Sequence, residues 1–181
     1  VVVFVRISTL LAVAGARVFK KPAPIAVGFE LTHRCNLACA YCDRHTPMAR
    51  EMSLDQIISA LDGLIELGMR ELSLDGGEPL THRHVAAIVT WLRERRIVVR
   101  LNTNGILVRR KASVVKQLAK VKISLDGPPA VHDAVRGTRA FERALDGAAA
   151  ARELGVPVEL TCVVGRHNAH AIDELIAIVE W

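Results

Sequence analysis

Aromatic residues are scarce: 4 Phe, 2 Trp and 1 Tyr make up 4% of 181 residues. The core of such a chain is filled by Val, Leu, Ile and Ala, and β-branched richness of this kind suits strands buried on both faces. Cysteines number only 4, too few for a disulfide-stapled scaffold of this length. A membrane-spanning helix needs about 20 mostly uncharged apolar residues, and Arg6 and Arg17 interrupt the one apolar stretch, Val1 to Phe19, that approaches this. That stretch shows no basic region before it, so the small residues Ala12 to Ala16 give a secretion signal little support. Acids are nearly missing from another segment. Between Arg93 and Lys122 stand ten Lys or Arg and one acid, Glu94, giving that segment +9 in a chain of formal net charge +5. Two readings stay open for it: solvated helix faces and helix C-terminal turns, where cations are favoured, or a basic surface for an acidic partner, nucleic acid included.

What is present is globular. Apolar residues reach 51% and charged residues 24%, with 12 Gly and 7 Pro, which suits one aliphatic core and an α/β fold. Ile7 to Phe19 reads as an amphipathic helix against the domain, or alternatively on a membrane surface. The division expected is an N-terminal helix and linker over 1–22 and a core domain over 23–181.

From Ile25 onward, short apolar runs alternate with amphipathic stretches. Strands are predicted at Ile25 to Leu31, Glu71 to Leu74, Ile97 to Leu101, Val121 to Leu125 and Val156 to Val164. Ser53 and Gln56 form a capping-box signature at the head of a helix that Gly68 ends. Further helices are predicted with an apolar face at Val85, Ile88, Val89 and Leu92, over Ala112 to Leu118, over Phe141 to Leu154, and after Asn168, a candidate cap for a last helix bearing Ile172, Leu175, Ile176 and Val179. Five strands alternating with helices argue for βαβ crossovers and a parallel sheet, open or closed as a barrel. In such sheets ligands gather at the carboxyl ends of the strands. The loops after the strands are therefore expected to converge: Cys35 to Cys42, Gly76 to Pro79, Asn102 to Gly105 and Ser124 to Gly127.

Cys35, Cys39 and Cys42 stand as C-x3-C-x2-C on one of these loops. Three thiolates so close suit a soft metal or an iron-sulfur cluster. A four-iron cluster held by three cysteines leaves one iron open to a small molecule. Tetrahedral zinc, with His33 or His45 as fourth ligand, is the alternative, and it implies a non-enzymatic interaction module. Cys162 reads as a buried strand residue, and His132, His167 and His170 as loop or surface residues without a role.

The cysteine motif with Tyr41 before its last Cys, followed by Gly76-Gly77-Glu78-Pro79, Asn102-Thr103-Asn104-Gly105 and Ser124-Leu125-Asp126-Gly127, each at or after a predicted strand, resembles a radical S-adenosylmethionine enzyme. The likeness runs from about Ile25 to the end of the chain. It is nearest the branch that holds peptide maturases and the coenzyme PQQ, haem d1 and molybdenum-cofactor biosynthesis enzymes. The resemblance implies a parallel partial (β/α)6 barrel, of which five strands are counted here, so the core reads as cut short at its C-terminus. It implies that Cys35, Cys39 and Cys42 hold a [4Fe-4S] cluster and that S-adenosyl-L-methionine binds beside it. Tyr41 would lie against the adenine, and Gly76, Gly77 and Glu78 would meet the methionine amino group. Asn102, Asn104 and Ser124 would contact ribose or carboxylate, and Arg136 the carboxylate. No side-chain acid or base is implied. The partners implied are an electron donor such as flavodoxin or ferredoxin and a peptide or small-molecule substrate, in the cytoplasm.

Overall fold

The computed structural model describes residues 14–15, 23–43 and 51–179. The expected helix over Ile7 to Phe19, His45 and the final Trp181 lie outside or almost outside these residues. Five strands form one sheet in the order β1-β2-β3-β4-β5, and every neighbouring pair is parallel. In chain order the elements are β1 (Ala26–Thr32), α1 (Leu54–Glu66), β2 (Glu71–Gly76), α2 (Val85–Glu94), β3 (Val98–Thr103), α3 (Ala112–Val115), β4 (Lys120–Ser124), α4 (Pro129–Arg136), α5 (Ala140–Glu153), β5 (Val158–Thr161) and α6 (Ile172–Val179). Short 3-10 turns precede α2, α3 and α6. The α/β class and the five parallel strands match the expectation from sequence.

The strands are buried on one face only, which corrects the expectation of two. Leu72 and Leu74 of β2, Val99 and Leu101 of β3, and Val121 and Ile123 of β4 are buried. They belong to one core with Ile57 and Leu61 of α1, Ile88 and Leu92 of α2, and Ala144, Ala148 and Ala151 of α5. The alternate residues are polar and half-exposed: Glu71, Ser73 and Asp75 on β2, Arg100 and Asn102 on β3, Lys120, Lys122 and Ser124 on β4. Period-two alternation of this kind marks a sheet with one packed face and one open face. Across the open face Arg100 pairs with Glu71 at 2.7 Å, and Glu159 of β5 takes both Lys120 and Lys122. The cations between Arg93 and Lys122 are thus divided among elements, and Arg95, Arg100, Arg109, Lys120 and Lys122 have carboxylate partners.

Local chemistry explains most boundaries. Ser53 caps α1: its hydroxyl accepts from Gln56 N–H at 3.2 Å, and the Gln56 side chain accepts from Ser53 N–H at 2.9 Å. α3 stops at Val115, short of the predicted Leu118, because Gln117 and Leu118 donate to carbonyls three residues back, at Val114 and Val115. β5 is shorter than predicted at both ends. Pro157 precedes it without an N–H to give, and after Thr161 the chain leaves the sheet so that Val163 N–H reaches Asp126. α4 was not predicted at all: Pro128-Pro129 reads as a breaker, yet Pro129 occupies the first turn of a helix, where its missing N–H costs nothing.

Helix α5 approaches the turn after β3 through two glycines. A methyl group on Gly147 would sit 2.2 Å from the Gly105 carbonyl oxygen, a clash of backbone against backbone. Gly147→Ala is therefore expected to destabilise the fold by about 3 kcal/mol, lowering Tm by roughly 6–12 °C. Thermal unfolding followed by circular dichroism checks this, and an unchanged Tm would contradict the close approach.

Candidate functional site

The loops after β1, β2, β3 and β4 do converge. One cavity of about 370 Å³ is lined by Cys35, Cys39, Tyr41 and Cys42 from the first loop, Gly76 and Gly77 from the second, Asn102, Thr103 and Asn104 from the third, and Ser124 and Arg136 from the fourth strand and α4. Its size falls in the range of small-molecule sites. All the residues expected to hold the cluster or S-adenosyl-L-methionine, save Glu78, lie in this wall. Glu30, Leu37 and Asp75 complete it and were not singled out. The signal for Glu30 and Asp75 is their position at the last open-face step of β1 and β2, where they are paired in register.

The cysteine loop is held from several sides. Asn104 Nδ2 donates to Asn36 Oδ1 at 2.7 Å and approaches Cys35 Sγ at 3.9 Å, while Leu37 N–H points at the same sulfur at 3.4 Å. Ala40 N–H donates to the Val135 carbonyl of α4 at 2.8 Å. Burial pushes the Cys35 and Cys39 thiols upward in pKa; the Leu37 N–H opposes this at Cys35 and the Arg136 charge opposes it at Cys39. Binding of a metal group at these sulfurs must therefore release protons. The Nε2 of His33 faces Glu30 at 3.4 Å. Among the described residues, no three His, Cys, Asp or Glu side chains are gathered closely enough to hold a single metal ion.

The two glycines after β2 have a local reason. A methyl on Gly76, whose φ is +129°, would meet the Thr32 carbonyl oxygen at 2.2 Å, and one on Gly77 would meet the Arg34 carbonyl oxygen at 2.5 Å. They let the β1 tail, which carries the cysteines, lie directly on the β2 loop. Gly77 and Glu78 spend their N–H groups on the carbonyls of Thr32 and Arg34, each at 2.8 Å. The Glu78 carbonyl in turn accepts from Thr81 N–H and Oγ1, so the acceptor that this turn retains for an ammonium group is the Gly77 carbonyl oxygen.

Glu78 departs from its expected place. Its side chain has no exposed surface and is absent from the cavity wall. Its carboxylate accepts from Leu80 N–H at 3.0 Å, Thr103 Oγ1 at 2.8 Å and Asn104 N–H at 2.9 Å, so it ties the β2 loop to the β3 loop. Burial raises its pKa against the pull of these three donors.

Asn102 gives its amide N–H to Asp75, and its Oδ1 is buried in the wall without a partner. An orphaned acceptor of this kind matches a hydroxyl or amino donor, such as a ribose hydroxyl, better than a carboxylate. Ser124 lines the same cavity.

Asp126, in a motif read from sequence but given no role, is the centre of a network. Its Oδ2 accepts from Arg136 Nε at 2.5 Å and from the Tyr41 hydroxyl at 2.8 Å, and Arg136 Nη2 donates to the same hydroxyl at 2.5 Å. Its Oδ1 accepts from Val163 N–H at 3.0 Å. Burial works against the charge of Asp126, yet Arg136 and the other donors outweigh it and hold the carboxyl below its usual range. Burial, with Asp126 hydrogen-bonded to the hydroxyl, pushes the Tyr41 phenol well above its usual range.

One histidine and one asparagine differ from expectation, while a second histidine, on a loop as expected, makes an unforeseen ring contact. His132 is buried on α4, where its Nδ1 accepts from Asp126 N–H at 3.0 Å, and burial takes its pKa down to about 4. His167 stacks on the Tyr41 ring at 5.4 Å between centroids. Asn168 does not cap by its side chain; it spans the loop instead, accepting from Gly165 N–H at 2.8 Å and donating to the Asp126 carbonyl at 2.6 Å.

The family model for the Radical SAM superfamily matches residues 29–179. The chain belongs to the radical SAM superfamily. Its named relatives are enzymes: the chain is 33% identical over 169 residues to a PqqA peptide cyclase of Xanthomonas oryzae pv. oryzae, covering 88% of this chain and 45% of the relative. It is 29% identical over 179 residues to an AdoMet-dependent heme synthase of Nitratidesulfovibrio vulgaris, covering 92% and 48%. The chain thus spans less than half the length of these curated relatives. Among solved structures, Streptococcus suis SuiB bound to S-adenosylmethionine superposes with a TM-score of 0.74 at 21% identity, over 93% of this chain and 41% of that one. Native anSMEcpe with bound AdoMet and the Kp18Cys peptide gives 0.71 at 23% identity, over 84% and 47%. These two likenesses show the fold, the TIM-like arrangement of the radical SAM superfamily. No helix among the described residues is long and apolar enough to cross a membrane.

Proposed function

We propose that this chain is the cofactor-binding core of a radical SAM enzyme that modifies a peptide. The observation that carries the reading is one cavity walled by three cysteines of a single loop and by the ends of β2, β3 and β4. The donor set fits the group: three soft sulfurs suit a [4Fe-4S] cluster with one iron left open, and the orphaned Asn102 Oδ1 suits a polar cofactor beside it. When bound, the cluster and S-adenosyl-L-methionine supply reductive cleavage of a carbon-sulfur bond and a 5′-deoxyadenosyl radical that abstracts hydrogen from substrate.

The chain's own residues position and shield. Cys35, Cys39 and Cys42 hold the cluster, and the carbonyl of Gly77 accepts the methionine amino group. Arg136 meets the carboxylate, Asn102 and Ser124 meet the ribose, and Tyr41 lies near the adenine. Asn104 keeps the cysteine loop in place through Asn36. Glu78 acts from behind the wall by fixing Thr103 and Asn104. A peptide substrate is supported by the relative named a PqqA peptide cyclase and by SuiB, which has been solved with its precursor peptide SuiA. The electron comes from a low-potential donor such as a flavodoxin or ferredoxin, in a reducing cytoplasm.

Anaerobic reconstitution with iron and sulfide tests the reading. The expected product is brown and carries about four iron and four sulfide per chain. With dithionite it should convert S-adenosyl-L-methionine to 5′-deoxyadenosine. A colourless protein holding one tight zinc would overturn the proposal.

A further inference from the structure

The Asp126 carboxylate has no exposed surface and does not line the cavity, yet two of the groups it holds do. Its Oδ2 grips Arg136 and Tyr41 together, and the guanidinium closes the triangle onto the phenol oxygen. Its Oδ1 fastens the segment after β5 through Val163, and its carbonyl is fastened by Asn168. One residue at the end of β4 therefore joins the cysteine loop, α4 and the β5 tail. Of the five N–H donors on a guanidinium, Arg136 spends one from Nε and one from Nη2 on this network. The others remain for a ligand in the cavity that Arg136 lines.

We infer that Asp126 is a positioning residue for the amino-acid end of the cofactor. It fixes the plane of the Arg136 fork so that the unused donors face a carboxylate in the cavity, and it fixes Tyr41 between two cluster cysteines by the same atom. The inference rests on the radical SAM reading of the cavity. The alternative is that Asp126 only braces the fold.

An amide at this position cannot do the same work. Tyr41, Arg136 and Val163 all donate to Asp126, while an asparagine side chain offers one acceptor oxygen and turns an NH₂ group towards the remaining donors. The test uses reconstituted protein and two ligands. S-adenosyl-L-methionine has the carboxylate; 5′-methylthioadenosine has the same nucleoside and a thioether but no amino-acid end. For Asp126→Asn, affinity for S-adenosyl-L-methionine should fall by about tenfold or more, while affinity for 5′-methylthioadenosine, which feels only the loosened Tyr41, falls by less than about threefold. Iron content should stay at about four per chain. Asp126→Glu keeps the charge but displaces the fork by one methylene, and should show the same selective loss at about threefold.

Equal weakening of both ligands would assign Asp126 a bracing role and overturn the inference, as would an unchanged affinity for S-adenosyl-L-methionine. Failure of both variants to fold would also overturn it, by making the carboxylate a folding requirement. Wild-type protein that takes up no cluster and binds neither ligand would instead sink the functional reading, and this inference with it.

Discussion

Cys39→Ala protein, reconstituted anaerobically beside wild type, is expected to retain less than about one iron per chain and to give no 5′-deoxyadenosine above background. Cys39 is buried on the loop, with Cys35 and Cys42 near enough to raise its pKa. The backbone around it is anchored independently: Ala40 N–H bonds to Val135, and Cys42 N–H bonds to the Cys39 carbonyl at 3.0 Å. The substitution removes a ligand and leaves the loop's hydrogen bonds in place. Loss of the sulfur should cost about 1 kcal/mol of packing, so Tm should fall by no more than roughly 5 °C. Iron assay, chromatography of the nucleoside product and a thermal melt together check the result. Full iron content or surviving cleavage would show that these cysteines do not carry the cluster.

The second large effect is expected at a residue that touches no ligand. Glu78→Ala leaves Leu80 N–H, Thr103 Oγ1 and Asn104 N–H without their acceptor inside the protein. Each stranded donor costs about 1–3 kcal/mol, although Thr103 Oγ1 can still accept from Gly105 N–H, which lies 3.1 Å away. A loss of about 4 kcal/mol overall is expected, with a fall in Tm of roughly 8–16 °C. The damage should reach the cluster as well, because Asn104 is the residue that secures Asn36 beside Cys35. Reconstituted Glu78→Ala should lose iron to a chelator faster than wild type. Equal rates with an unchanged Tm would show that the carboxylate is dispensable to both loops.

Elements set by local pattern were legible in the sequence. The capping box at Ser53 and the apolar face of α2 are properties of neighbouring residues. The strand positions followed from period and loop chemistry, and the four motifs came to one cavity because parallel strands deliver their ends to the same edge. Features that depend on distant partners were not legible. Asp126 and Tyr41 are 85 residues apart, and no spacing rule connects them. His132 reads like any polar residue on a helix until α4 lays it under Asp126. The local need for the Gly76-Gly77 pair was not legible either, because what a side chain there would meet is the distant Thr32–Arg34 backbone. The open sheet face was hidden by composition, which counts aliphatic residues without saying that Glu71, Ser73 and Asp75 alternate with them.

The network around Asp126 also sets an order of assembly. Strands β1 to β5 lie side by side in the sheet in the order in which they occur along the chain. The three thiols lie at or before residue 42, whereas Asp126, Val135 and Arg136, which add further clamps to their loop, come more than eighty residues later in the chain. A nascent chain that stops before α4 has the Asn36–Asn104 contact on the cysteine loop but lacks the Ala40–Val135 and Tyr41–Arg136 contacts. The last clamp on the cysteine loop is therefore in place only once Arg136 has been added to the chain.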